Sequence, residues 1–234
     1  MINPKNILIV LGVFLLVGFS TEKMNPPSSD TPIALVKKII KDVTYRTGSN
    51  QSDWEKAKVG LPLNDGGEVK TGSNSLALVL FTDGSGLLRV RENAILHIYG
   101  KSQNKKMDKN TFIDRGMVGF EVNKQAEDEE FKFTTPTVVA SIRGTEGYIE
   151  FNDLDSTSTI FLNTGSALFQ TLKGEEGTIV NGRTLTVKND GTFSLSNSTA
   201  EDSVRFKSSI QTNPKQIILK TPDGDVKIEY LRNK

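Results

Sequence analysis

The side chains best suited to chemistry are scarce in this sequence: there is one histidine, His97, and no cysteine. A serine triad needs a histidine as its general base, so His97 in "AILHIYG" would have to fill that role. No Gly-x-Ser-x-Gly elbow accompanies it. Alternation along a strand puts Ile95, His97 and Tyr99 on one face and Ala94, Leu96 and Ile98 on the other, so a hydrogen-bonded strand histidine is expected. With one histidine and no thiol, a zinc site would have to be built from carboxylates, which is uncommon. The stretch "NDLDSTS" (152–158) brings oxygens close together. It lacks the glycine and distal glutamate of a helical calcium loop and reads as a polar hairpin turn.

Two further constellations are weighed. Glycosidase-type carboxylate pairs need two acids facing one another. The 28 acidic residues fall mostly in turns and charge runs, and no pair is marked. "GGE" and "TGSNS" are rich in glycine and serine but lead into no helix, so they are not phosphate loops. Arg143-Gly144-Thr145 in "VVASIRGTEGYIEF" interrupts what otherwise reads as strand. Arg143 could capture a ligand. Alternatively Gly144 lets the backbone turn a corner, with Arg143 capping carbonyls or pairing with a carboxylate. The second reading is the expectation. No catalytic, cofactor-binding or metal-ligating residue is assigned, and no enzyme activity is expected.

The elements that would position these residues are mostly strands. "SLALVLF" (75–81) is apolar at consecutive positions, as in a strand covered on both faces. "DGSG" (83–86) supplies a hairpin turn, and "LLRVRENAILHIYG" follows as two strands broken at Glu92-Asn93. "ALVKKII" (34–40) allows either a helix or a strand. "FEV" (120–122), "EFKFTT" (130–135), "TVVASI" (137–142), "GYIEFN" (147–152), "STIFLNTGSALFQTL" (158–172) and "GTIVNGRTLTVKNDGTFSLS" (177–196) continue the pattern. Asn181-Gly182 and Asp190-Gly191 are read as further hairpin turns. "TAEDSVRFKSSI" (199–210) predicts a helix, capped by Thr199 or Ser198, with Glu201 and Asp202 in its first turn. "KQIILKTPDGDVKIEY" (215–230) predicts a last hairpin beyond it. Short strands at regular spacing predict an all-β domain, sandwich- or barrel-like (jelly-roll or β-roll type), with one short helix near the C-terminus.

The N-terminus carries Lys5 and an apolar run of 13 residues, "ILIVLGVFLLVGF" (7–19), followed by Ser20. That layout is a secretory signal peptide over residues 1–20, or an uncleaved anchor. A permanent span needs roughly 20 apolar residues. Residues 21–32, with prolines, serines and charge, read as a flexible spacer. Residues 33–198 form the β domain, and 199–234 the helix and terminal hairpin. With 29 basic and 28 acidic residues there is no basic excess of the kind nucleic-acid binders carry. Charge is nevertheless concentrated at 101–117 and 123–130, read as loops suited to docking.

"DWEKAKVGLPLNDGGEVKTGSNSLALVLFTDGSGLLRVRENAILHIY" resembles the FecR domain, at Trp54, Gly60, Leu63, Thr71-Gly72, Asp83-Gly84-Ser85 and Leu96. "FKFTTPTVVASIRGTEGYIEF" is similar to the same family's Thr-Pro and Arg-Gly-Thr elements, at Thr135-Pro136 and Arg143-Gly144-Thr145. The resemblance spans residues 35–195. It implies a non-catalytic β-rich domain outside the cytoplasmic membrane, which in well-known members relays a receptor's state to a sigma factor. That relay uses a cytoplasmic sigma-holding segment, whereas six residues precede the apolar run here. The expectation is therefore a periplasmic or otherwise exported interaction and sensor module, with an envelope protein as partner. The alternative is a glycan- or peptidoglycan-binding envelope protein. No nucleic acid is expected as partner, and the membrane only through residues 7–19.

Overall fold

The computed structural model describes residues 32–48, 53–103, 106–124, 130–213, 215–221 and 224–230. The apolar run at 7–19 and, of the spacer at 21–32, residues 21–31 lie outside them. Among the described residues no helix is long and apolar enough to cross a membrane.

The chain enters at β1 (Ala34–Ile40), so the ambiguous "ALVKKII" is a strand, and crosses to β2 (Val43–Thr47) in a second sheet. The two-residue strands β3 (Glu55–Lys56) and β4 (Pro62–Leu63) edge β2 and β1, and β5 (Gly67–Thr71) pairs with β2. The hairpin of β6 (Leu76–Phe81) and β7 (Gly86–Val90) returns to the first sheet. Strand β8 (Ile95–Gln103) pairs with the first part of β9 (Lys106–Val122) in the second sheet. The remainder of β9 then lies between β7 and β12 (Thr145–Asn152) in the first. Gly116, at φ +81°, marks the bend. Strands β10 (Phe131–Thr134) and β11 (Val138–Ile142) form a hairpin in the second sheet. β12 pairs with β13 (Thr157–Thr164) in the first, and β14 (Ser166–Thr171) with β15 (Glu176–Val180) in the second. β16 (Arg183–Val187) and β17 (Phe193–Asn197) complete the first sheet. Helix α1 (Ala200–Ile210) follows, and β18 (Lys215–Thr221) with β19 (Gly224–Tyr230) makes a separate two-stranded sheet.

The first sheet thus runs β4-β1-β6-β7-β9-β12-β13-β16-β17, and the second β3-β2-β5-β8-β9-β10-β11-β14-β15. All pairings are antiparallel except β9 with β10. The inner faces meet in one apolar core, where Val79, Leu88, Val118 and Ile149 of one sheet pack with Val69, Leu96, Ile113 and Val138 of the other. This is an open, sandwich-like all-β fold; it is not closed as a barrel.

Three local readings need correction. Residues 101–103 and 106–117 are strand, not loop, because β9 is paired on both edges. "FEV" is accordingly the end of a 17-residue strand rather than a short element. Asn181-Gly182 is no hairpin turn. It carries the chain from β15 in the second sheet to β16 in the first, with its N–H groups donating to the carbonyls of Gly165 and Leu162.

Candidate functional site

The Arg-Gly-Thr triplet sits where the chain passes from β11 in the second sheet to β12 in the first. Gly144 takes φ +67°, a conformation side chains with a Cβ resist. The next two such crossings follow in turn: Gly165 at φ +80° between β13 and β14 lies beside Gly144, and the Asn181-Gly182 crossing, with Gly182 at φ +72°, lies beside Gly165. A Cβ on Gly165 would come 2.5 Å from the Gly144 carbonyl oxygen. Thr145 is buried and donates to the Ser166 carbonyl at 3.1 Å, tying one corner to the next. Arg143 is an exposed residue at this corner. Gly144 and Thr145 supply the backbone geometry and the tie of this corner.

His97 belongs to a charge cluster on the outer face of the second sheet. Glu68, buried although charged, accepts from Arg46 Nε at 2.7 Å, and His97 Nδ1 lies 3.5 Å from its other oxygen. Arg46 in turn lies over the Trp54 ring at 4.7 Å, with Lys70 at 5.3 Å. Phe112 meets the imidazole edge-on and Tyr99 stacks beside it. Burial pushes the His97 pKa below its ordinary value, and Arg46 adds to this; the carboxylates of Glu68 and Asp114 only partly offset it. A histidine whose folded pKa is depressed contributes stability above the unfolded pKa of about 6.5 and loses it as pH falls from there through the folded pKa. Stability measured by urea unfolding is expected to fall between pH 7 and pH 5 more steeply than in His97→Gln. Parallel curves for the two proteins would show that His97 is not the titrating group.

The cleft-bearing face is elsewhere, under α1. Thr199 caps this helix in a full capping box with Asp202, as its sequence predicts. Phe206 packs with Tyr148 and Phe161, whose rings stack at 5.4 Å. The Tyr148 hydroxyl donates to Asp202 at 3.1 Å, and burial raises the phenol's pKa strongly. Arg205 pairs with Glu150 of β12. The helix end lies on Gly119 of β9, where a Cβ would stand 2.6 Å from the Ser209 carbonyl oxygen. Beyond it, Arg91 Nη1 donates to the Gln211 carbonyl at 2.7 Å, and Lys38 Nζ to that of Thr212 at 2.9 Å. Between the helix and the ends of β7, β9 and β12 runs a cleft of about 670 Å³, lined by Arg91, Met117, Glu150, Asp153, Glu201 and Arg205 among others.

Neither Arg91 nor this cleft was legible in advance, since the strand face that α1 covers is set by tertiary docking. The turn at 153–156 is the polar hairpin turn expected, with Asn152 and Asp155 accepting from the N–H groups of Leu154 and Thr157. Among the described residues no group of three potential ligands could hold a metal ion. Of the stretch 123–130, residues 125–129 lie outside the described residues.

Comparison with known proteins places this architecture. Residues 67–168 match the model of the family described as FecR protein. No curated protein matches the chain. Two crystal structures of a proposed anti-sigma factor from Parabacteroides distasonis share its fold, with TM-scores of 0.52 and 0.50. Both are 13% identical to it and cover 67% of this chain, and the matched part is 68% and 69% of theirs. The family match begins at β5 and ends within β14, so it takes in the β9 crossing and the Arg-Gly-Thr corner. Residues 67–168 of this chain are thus a FecR domain.

Proposed function

We propose that this chain is a non-catalytic sensor and regulatory module of the bacterial cell envelope that works by binding another protein. The FecR domain is the observation that carries this reading, and the fold shared with a proposed anti-sigma factor supports it. Residues 1–20 direct export, 21–32 space the β domain of 33–198 from the membrane or signal, and 199–234 add a helix that docks on the first sheet. The module transmits its state through an envelope protein partner.

Docking by strand addition suits the last strands of the two sheets, because a sheet edge offers unpaired backbone groups. β15 and β17 pair on one side only among the described residues, and Val180 and Phe193 beside those edges are 47% and 41% exposed. A photo-crosslinking residue at Thr178 in the tagged full chain, activated in intact cells, is expected to trap a membrane signalling protein or receptor. The same group at Lys56 on β3 serves as control. Recovery of the chain in the cytoplasmic fraction, or of cell-wall glycan with no protein partner, overturns this reading.

A further inference from the structure

We propose that the cleft beneath α1 binds the C-terminal tail of a partner chain, taking the terminal carboxylate at Arg91 and a basic side chain of the fourth residue from the end at Glu201. The inference goes beyond the envelope-module reading and needs only the local geometry.

Arg91 is 4% exposed, and among the described residues no carboxylate lies within ion-pair distance of it. Its Nη1 donates to the Gln211 carbonyl, while Nη2 has no hydrogen-bond partner. The helix C-terminus beside it carries only about half a negative charge. A buried guanidinium with one nitrogen unanswered is costly, and a planar carboxylate is its best partner. Among the other charges in the cleft, adjacent Glu92 favours the guanidinium by its charge but leaves Nη2 without a hydrogen bond. Glu92 accepts from the Asn74 N–H, Glu150 pairs with Arg205, and Asp153 pairs with Arg115 at 3.9 Å.

At the opposite end Glu201, in the first turn of α1, makes no hydrogen bond or ion pair among the described residues. The cleft is therefore dipolar, with a buried cation short of one hydrogen bond near the helix C-terminus and an exposed anion near its N-terminus. From Glu201 to Gln211 is ten residues of rise, about 15 Å at 1.5 Å each. An extended peptide advances about 3.3–3.6 Å per residue, so four residues span that length. A simple anion would meet Glu201 and Asp153 as repulsion, and a simple cation would leave Arg91 as it is. A carboxylate and a cation joined by four extended residues answer both ends.

The test uses the full chain and a carrier protein ending in Lys-Gly-Gly-Ala, measured by fluorescence anisotropy at low salt. Binding is expected with the free carboxylate and to weaken at least about 10-fold when the carrier ends in an amide, as loss of a hydrogen bond to a charged group implies. Arg91→Met is expected to weaken binding similarly, with Arg91→Lys intermediate. Because Arg91 also holds Gln211, Glu201 gives an independent arm on an exposed first-turn site. Glu201→Gln is expected to weaken binding about 2–5-fold, and Glu201→Lys to reverse the preference towards a carrier ending in Glu-Gly-Gly-Ala. Equal binding of acid and amide ends overturns the proposal, as does indifference to the Glu201 variants. Binding of the free tetrapeptide but not of the carrier overturns the assignment to a partner's tail.

Discussion

Asp83→Ala is expected to cost about 3 kcal/mol of stability, whereas Lys109→Met costs little and the double variant recovers most of the loss. Lys109 lies on β9 in the inward register shared with Thr111 and Ile113, and its side chain is wholly buried. Its Nζ meets Asp83 Oδ2 at 2.5 Å, and Asp83 stands in the β6–β7 turn of the opposite sheet. The pair therefore bridges the two layers. Burial alone would raise the Asp83 carboxyl, but hydrogen bonds from Lys109 and Ser85 outweigh it and hold the group below the usual carboxylate range. Removing the carboxylate strands a buried ammonium, which costs about 3–5 kcal/mol in comparable pairs. Asp83 keeps 29% of its side chain exposed, so solvent softens the loss towards the lower figure. Lys109→Met instead puts an apolar chain in an apolar place and leaves Asp83 free to hydrate. Since the folded pKa is depressed, the contribution is present above the ordinary carboxyl pKa of about 3.9 and lost as pH falls through the folded value. Urea unfolding of the four proteins at pH 7 checks this. A loss for Asp83→Ala below about 1 kcal/mol would mean that Lys109 finds another partner.

This pair also marks what the sequence could and could not disclose. The Asp83-Gly84 turn was legible, because its residues specify their conformation locally, and so was α1, whose Thr199 and Asp202 announce the helix start. Strand β9 was not. Asp108, Lys109, Asp114 and Arg115 make it look solvated, and only pairing on both edges by β8, β10, β7 and β12 makes it a strand. A trace of the answer was present: Lys109, Thr111, Ile113 is a period-two series, with lysine in a place where apolar residues belong. Asn181-Gly182 shows the same limit. An Asn-Gly pair permits a tight turn, but the partners of the flanking strands decide whether it closes a hairpin or changes sheet. Arg91 was invisible for a third reason. Nothing near it in sequence shows that residues 200–211 will cover that face.

The corner at Arg143-Gly144-Thr145 invites the second large effect, and it is expected one crossing further on. Gly165→Ala is expected to cost about 2–5 kcal/mol. Its φ of +80° is left-handed, which costs a residue with a Cβ about 1–2 kcal/mol. The added carbon would stand 2.5 Å from the Gly144 carbonyl oxygen and 2.9 Å from Thr145 Oγ1, so the neighbouring corner must shift, with overpacking worth about 1–3 kcal/mol more. Gly144→Ala meets no such obstruction, its nearest atom being Lys124 Cα at 3.5 Å, so about 1 kcal/mol of backbone cost is expected. Arg143→Ala, on an exposed side chain, is expected to cost less than either and to lower the melting temperature without changing the yield of the Thr178 crosslink. The order Gly165, Gly144, Arg143 in thermal unfolding would mean that the triplet is a backbone device whose demands pass from corner to corner. Weakened crosslinking by Arg143→Ala at an unchanged melting temperature would mean the opposite. The arginine would then be the working part of the triplet, and the glycine beside it the means of presenting it.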